Sequence, residues 1–182
     1  MDEQLEFVKL IAARLETARI PYMMTGSMAM AIYSVPRMTR DIDLVIEIEP
    51  EKTNEIVKLF NSDCYVDSES VRQAVRNRSM FNIIHNDWIV KADFIIKKNE
   101  SYHKTEFLRK RQIEIEKQNI WVAAPEDLII SKLIWSRDSE SETQLRDVRQ
   151  LIGFVKELDW EYLQNWIKIL GVDEQLTKAK GQ

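Results

Sequence analysis

Gly26-Ser27 and, after thirteen intervening residues, Asp41-Ile42-Asp43 carry the side chains and backbone of this chain best suited to chemistry. Gly26 and Ser27 open a short apolar helix, and the first N–H groups of a helix have no partner within it and favour phosphate oxygens. Asp41 and Asp43 begin a strand that runs on through Leu44, Val45 and Ile46. On a strand, residues i and i+2 share a face with Cα atoms ~6.6 Å apart, so the two carboxylates point the same way and can share a divalent metal. Asp93 is a third candidate. In Trp88-Ile89-Val90-Lys91-Ala92-Asp93-Phe94 the residues Trp88, Val90, Ala92 and Phe94 form an apolar face, and Asp93 lies opposite with Ile89, Lys91 and Ile95. A mid-strand carboxylate among apolar neighbours costs several kcal/mol unless it is paired or metal-bound. If the two strands are neighbours, three carboxylates converge beside a phosphate cradle. Such a site holds two Mg²⁺ (or Mn²⁺) ions, one orienting a nucleoside triphosphate and one activating an acceptor oxygen, with Asp93 as base or as the ligand that lowers the acceptor's pKa.

The elements that position these residues are legible from periodicity. Leu5, Val8, Ile11, Ala12 and Leu15 predict an amphipathic helix ending before Pro21. Tyr22 to Thr25 reads as a buried strand feeding the Gly-Ser turn, and Met28 to Tyr33 as a helix buried against a sheet. The strand from Asp41 extends to Ile48, and Glu51 to Phe60 repeats a helical pattern. Ser68 to Asn77 predicts a polar helix with Arg72 and Arg76 on one face. Two β runs, Met80 to His85 and Trp88 to Ile96, are joined by Asn86-Asp87 as a tight hairpin. A second ribbon pairs Gln112 to Glu116 with Ile120 to Ala123. After Pro125 the pattern is helical, near 125–136, 141–156 and 159–169, and the last dozen residues read as frayed. The expected organisation is α/β over 1–124 with a helical region over 125–182 packed on it, countable as one domain.

Composition narrows the class. At 182 residues with 45% hydrophobic and 31% charged side chains, the chain can bury a sizeable core. A net charge of −4 gives no global pull towards nucleic acid. With one cysteine, Cys64, no intrachain disulfide forms, and beside only His85 and His103 a structural zinc site is not expected. The acidic start is unlike a signal peptide, and no apolar run reaches a membrane span, so a cytoplasmic protein is expected.

Gly26-Ser27, the thirteen-residue spacing and Asp41-Ile42-Asp43-Leu44 resemble the signature of the nucleotidyltransferase superfamily, whose fold is shared with DNA polymerase beta, and Asp93 matches its third carboxylate. Ser27 stands where a second glycine is common. Pro125-Glu126-Asp127-Leu128, Lys132 and Arg146-Asp147 resemble the AbiEii-like stand-alone members, several of which are toxins of toxin–antitoxin pairs. The resemblance implies a mixed α/β nucleotidyltransferase fold: a small mixed sheet, flanking helices and a C-terminal helical region. It also implies transfer of a nucleoside monophosphate from an NTP to a hydroxyl of RNA, tRNA or protein, with a cognate antitoxin as partner. Lys132 would contact the triphosphate, with Asp147 orienting it, and Arg40 would neutralise phosphate.

Each reading has a structural competitor. Asp41 and Asp43 could instead cap turns or pair with Arg37 and Arg40, and Asp93 with Lys91 or His85, although metal binding is the favoured reading of all three. On helical wheels Lys132 and Asp147 point into apolar arcs while Arg146 faces out, which also suits a plain inter-helix ion pair. The basic residues from Lys97 to Arg111 read as a solvated face, the tryptophans at 121, 135, 160 and 166 as core, and the two histidines as surface or hairpin residues. At the level of function the competitors are an inactive module of the same fold that binds nucleotide or acts like an antitoxin, and a metal-dependent nuclease.

Overall fold

The computed structural model describes residues 3–36, 39 and 41–181. Arg37 and Arg40 lie outside the described residues. The chain opens with α1 (Glu3–Thr17), which buries Val8, Ile11, Ala12 and Leu15 as the periodicity predicts, while Leu5 is half-buried and Phe7 is buried in addition. There follow β1 (Tyr22–Thr25), α2 (Gly26–Tyr33), β2 (Asp41–Ile46), a 3₁₀ turn at Pro50–Lys52, α3 (Thr53–Phe60), β3 (Cys64–Val66), α4 (Ser68–Asn77), β4 (Met80–His85) and β5 (Lys91–Ile96). Then come α5 (Ser101–Leu108), β6 (Arg111–Ile115), β7 (Gln118–Val122), α6 (Pro125–Ser139), α7 (Glu142–Phe154), α8 (Trp160–Leu170) and α9 (Asp173–Lys180).

The described strands form one mixed sheet in the order β3-β4-β5-β2-β1-β7-β6. β2 lies parallel to β5 and antiparallel to β1, so the strand bearing Asp41 and Asp43 is flanked on both sides and central. Its even-numbered residues Ile42, Leu44 and Ile46 are fully buried, as are Ala92, Phe94 and Ile96 of β5. Phe60 of α3 meets Phe94 edge to face at 5.7 Å between ring centroids, and Phe81 of β4 stacks on Phe94 at 5.1 Å. Buried aromatic contact on this scale is worth about 2 kcal/mol per side chain, which pins the register of the central strands. The odd-numbered residues therefore face the other way, and that face carries the candidate site.

Several local expectations are corrected. The hairpin between β4 and β5 has the four-residue loop 86–89 rather than a two-residue turn, because His85 pairs with Val90 and Ile89 takes a positive φ of 53°. Trp88 leaves the strand and its indole stacks on His85 at 3.9 Å, which buries the histidine instead of leaving it at the surface. β3 and α5 were not foreseen, since three residues and a mixed polar stretch give too little periodicity to stand out. Only Ala29 and Met30 of α2 are fully buried. The C-terminal end is not frayed: Val172 and Ala179 are buried and the Arg149 guanidinium donates to the Ala179 carbonyl at 2.6 Å, which docks α9. The second ribbon is present, but it turns at Glu116 and Lys117, both at positive φ in a two-residue hairpin, rather than over 117–119 as the expected strand limits imply.

Candidate active site

Parallel pairing of β2 with β5 puts Asp43 directly beside Asp93 and Asp41 beside Lys91. Antiparallel pairing then adds Thr25 of β1 next to Asp43 and Asn82 of β4 next to Asp93. Registered neighbours share a face, so Asp43, Asp93, Thr25 and Asn82 form one row across four strands. Asp93 is 7% exposed, while Asp41 at the start of its strand is largely open to solvent. Asp43 is pushed up to about 6, first by burial, then by the charges of Asp93 and Asp41, with Lys91 and Lys132 acting the other way. Two carboxylates on one rung, partly withdrawn from water, resist joint ionisation.

The Lys91 ammonium answers part of that charge. It donates to Asp93 Oδ2 at 2.9 Å and lies 3.4 Å from Asp41 Oδ1. The hydrogen bond to Asp93 is the main cause of a raised Lys91 pKa, which keeps the ammonium charged. The pairing of Asp93 with Lys91 named among the competing readings is thus present, and the pairing with His85 is not among the ion pairs of either residue. Asp93 Oδ1 is buried and has no hydrogen-bond partner among the described residues. Among the described residues no three His, Cys, Asp or Glu side chains are arranged to hold a metal ion as they stand. The donor set nonetheless fits Mg²⁺: hard carboxylate oxygens, one of them buried and unbonded, on adjacent strands.

Gly26 begins α2 at a φ of +68°, and a methyl group there would collide with the Asp43 carboxylate. Glycine is therefore required twice, for the left-handed backbone and for the close approach of strand and helix start. Thr25 at the N-cap makes no side-chain capping bond to α2, so the amides of the first turn are not closed off by their own cap. Ser27 is the next residue of that turn and is half-buried.

Lys132 of α6 and Asp147 of α7 are 5% and 0% exposed and form an ion pair at 2.7 Å; the lysine also donates to Gln144 at 3.2 Å. The wheel placement of both is as expected, with Arg146 exposed. Lys132 is close enough to lower the Asp43 pKa, so the helical region does reach the carboxylates electrostatically. In the basic run Lys98 and Lys104 are exposed, as expected of a solvated face, and three other residues depart from it by pairing with carboxylates. Arg109 pairs with Glu126 and Asp127, Arg111 with Glu126, and Lys97 with Glu47. Trp135 is 62% exposed rather than core.

Beside this row is a cleft of about 520 Å³. Its floor is Met23, Val45 and Ile95, each two residues along its strand from Thr25, Asp43 and Asp93, and its walls include Tyr102 of α5 and Ile134 and Trp135 of α6. Asn82 and this cleft were missed by sequence reasoning. A polar residue inside the alternating run Met80 to His85 was the available signal for Asn82. The cleft had none, because it arises where α5 and α6 come together over the sheet.

A central mixed sheet with two registered aspartates at a helix start defines a nucleotidyltransferase fold. The chain belongs to the family described as nucleotidyltransferase of unknown function (DUF6036), whose model matches residues 2–176. Comparison with curated proteins gives no match. Among solved structures the chain is similar to an antigenic nucleotidyltransferase-like protein from Paracoccidioides brasiliensis, at 19% identity over 96% of this chain and 90% of that one, with a TM-score of 0.59. It is also similar to ANT(2″)-Ia in complex with adenylyl-2″-tobramycin, at 14% identity, 99% and 98% coverage and a TM-score of 0.58. A lincosamide antibiotic adenylyltransferase with lincomycin bound matches at 13% identity, 85% and 99% coverage and a TM-score of 0.56. At these identities the likeness concerns the fold. Among the described residues no helix is long and apolar enough to cross a membrane.

Proposed function

We propose that this protein transfers a nucleoside monophosphate from an NTP to an acceptor hydroxyl in a Mg²⁺- or Mn²⁺-dependent reaction that releases pyrophosphate. The observation that carries the reading is the register of Asp43 with Asp93 beside the Gly26 turn. Asp41, Asp43 and Asp93 would hold the metal, which supplies charge neutralisation of the phosphates and a more acidic acceptor hydroxyl. The α2 amides at Gly26 and Ser27 receive the terminal phosphates. Lys132, oriented by Asp147, adds positive charge to the same end of the triphosphate, and Arg40 is assigned to phosphate from the sequence alone. Asp93 stands nearest to the acceptor as base or ligand. Residues 1–124 would be the transferase core and 125–182 the helical region that brings Lys132 to it.

The first reading of the acceptor is RNA, tRNA or protein, with a toxin role and a cognate antitoxin, as the AbiEii-like resemblance implies. A second reading, a small hydroxyl-bearing organic molecule, is favoured by the apolar cleft that continues the carboxylate row, whose volume is in the range of small-molecule sites. Two solved structures of the same fold hold lincomycin and adenylyl-2″-tobramycin. The test is a Mg²⁺-dependent labelling assay with each radiolabelled NTP against total RNA, protein and a small-molecule extract. Label that depends on metal and disappears in Asp41→Ala, Asp43→Ala and Asp93→Ala supports transfer. Metal-independent NTP binding by calorimetry with no label in any fraction would favour the inactive binding module, and RNA breakdown without NTP would favour a nuclease.

A further inference from the structure

We propose that Lys91 is a built-in counter-cation of the carboxylate site, competing with the divalent metal for Asp41 and Asp93 and leaving them when the metal binds. The proposal rests on the metal-ligand reading above. It begins with topology. Lys91 is the cross-strand neighbour of Asp41 and stands two residues before Asp93 on the same face, so a single ammonium reaches both. These two carboxylates are its only ion-pair partners among the described residues. Its side chain is 39% exposed, so the four-carbon stem has room to swing towards solvent without disturbing the core. Asp93, by contrast, is held on a central strand and keeps Oδ1 unbonded even with Lys91 on Oδ2. One ammonium does not saturate this site. A divalent ion brings twice the charge and takes more oxygen ligands, and each carboxylate oxygen it engages releases Lys91 from that contact.

The cost is a weaker apparent metal affinity. If the ammonium holds the carboxylates nine-tenths of the time, the metal sees a competent site about one-tenth of the time and binds about tenfold more weakly. Mn²⁺ titration followed by electron paramagnetic resonance, without nucleotide, reads this directly in the full chain. Lys91→Met keeps the stem and removes the charge, and it should bind Mn²⁺ about tenfold more tightly than wild type. Lys91→Arg should stay near the wild-type value, and Asp43→Asn should lose the site. The thermal midpoint of Lys91→Met should also rise more on Mn²⁺ addition than that of wild type, a response that a merely structural lysine would not produce. Should Lys91→Met fail to fold, Lys91→Gln serves the same titration. Mn²⁺ bound equally by wild type and Lys91→Met, yet lost in Asp43→Asn, would overturn the role of Lys91 and leave the metal site standing. No Mn²⁺ bound by either protein would overturn both readings.

Discussion

Asp43 and Asp127 are both held near pH 6, and in both the first cause is burial, yet their surroundings differ in kind. Asp127 and its neighbour Glu126 sit in the first turn of α6, where the helix dipole favours negative charge. Asp127 accepts from the Tyr162 hydroxyl at 2.5 Å on one oxygen and from the Arg109 guanidinium at 3.3 Å on the other. Glu126 accepts from Arg109, Arg111 and the Asp159 amide. Arg109 itself lies over the Tyr162 ring at 3.7 Å. Charge and hydrogen bonds are closed within the cluster, which ties α5, α6 and α8 together. Around Asp43 two more carboxylates add to the cost of burial, and Asp93 leaves one oxygen unbonded among the described residues. The first arrangement serves the fold. The second is tolerated by it, and buried groups left short of partners are where function is to be sought.

The sharpest break in this comparison is catalytic. Asp43→Asn keeps the shape of the side chain but removes a metal-binding charge, and it should lower NTP-dependent labelling by about 10³-fold or more, as loss of one dominant electrostatic contact does. Arg109→Met should leave labelling within about tenfold of wild type when assayed well below its melting point. If Arg109→Met abolished the activity of folded protein, the two clusters would not be separable into one for the fold and one for the chemistry.

Stability should show the reverse order. Arg109→Met strips Glu126 and Asp127, 1% and 0% exposed, of a shared cation and should cost about 3 kcal/mol in urea unfolding, at the lower end for breaking a buried pair because Arg109 is itself partly exposed. Tyr162→Phe removes only the hydroxyl donated to Asp127. It should cost about 2 kcal/mol, the usual size for a hydrogen bond to a charged acceptor. Equal losses from the two substitutions would mean that the Tyr162 hydroxyl holds the cluster as firmly as the shared cation does.

How much of this was readable beforehand differs between the clusters for physical reasons. Asp41 and Asp43 announce themselves as carboxylates at i and i+2 on one face of a strand whose other face is apolar, and Asp93 as a mid-strand carboxylate among apolar neighbours. The wheel likewise finds Lys132 and Asp147 as inward charges. Their partners across the sheet are set by strand order, and nothing in the run from Met80 to His85 says that Asn82 will lie beside Asp93. The closed cluster was invisible for a related reason. Arg109 and Arg111 look like a solvated basic run until α5 and β6 are placed against α6, and Tyr162 is fifty-three positions away from Arg109 in sequence. Patterns within one element survive translation into structure. Contacts between elements depend on the order of strands and the docking of helices, which local periodicity does not encode.

The smallest expected effect has the opposite sign and bears most directly on the comparison. The Asp43 carboxyl titrates near 6 in the folded chain and near 4 when unfolded, so the folded state binds the extra proton between these values. Its contribution to stability is therefore greatest below about pH 4 and falls as pH rises through about 6. Asn at this position has no charge to withdraw from water. In metal-free buffer Asp43→Asn should match wild type at about pH 4 and exceed it by about 1 to 2 kcal/mol at pH 7, after allowance for the part of Asp43 that water still screens. The pH response of Asp127 is common to both proteins and cancels in the difference. Urea unfolding at pH 4, 5, 6 and 7 would trace the curve. A variant less stable than wild type at pH 7 would mean that Asp43 is as well satisfied as Asp127, and the distinction between a cluster that builds the fold and one that burdens it would be lost.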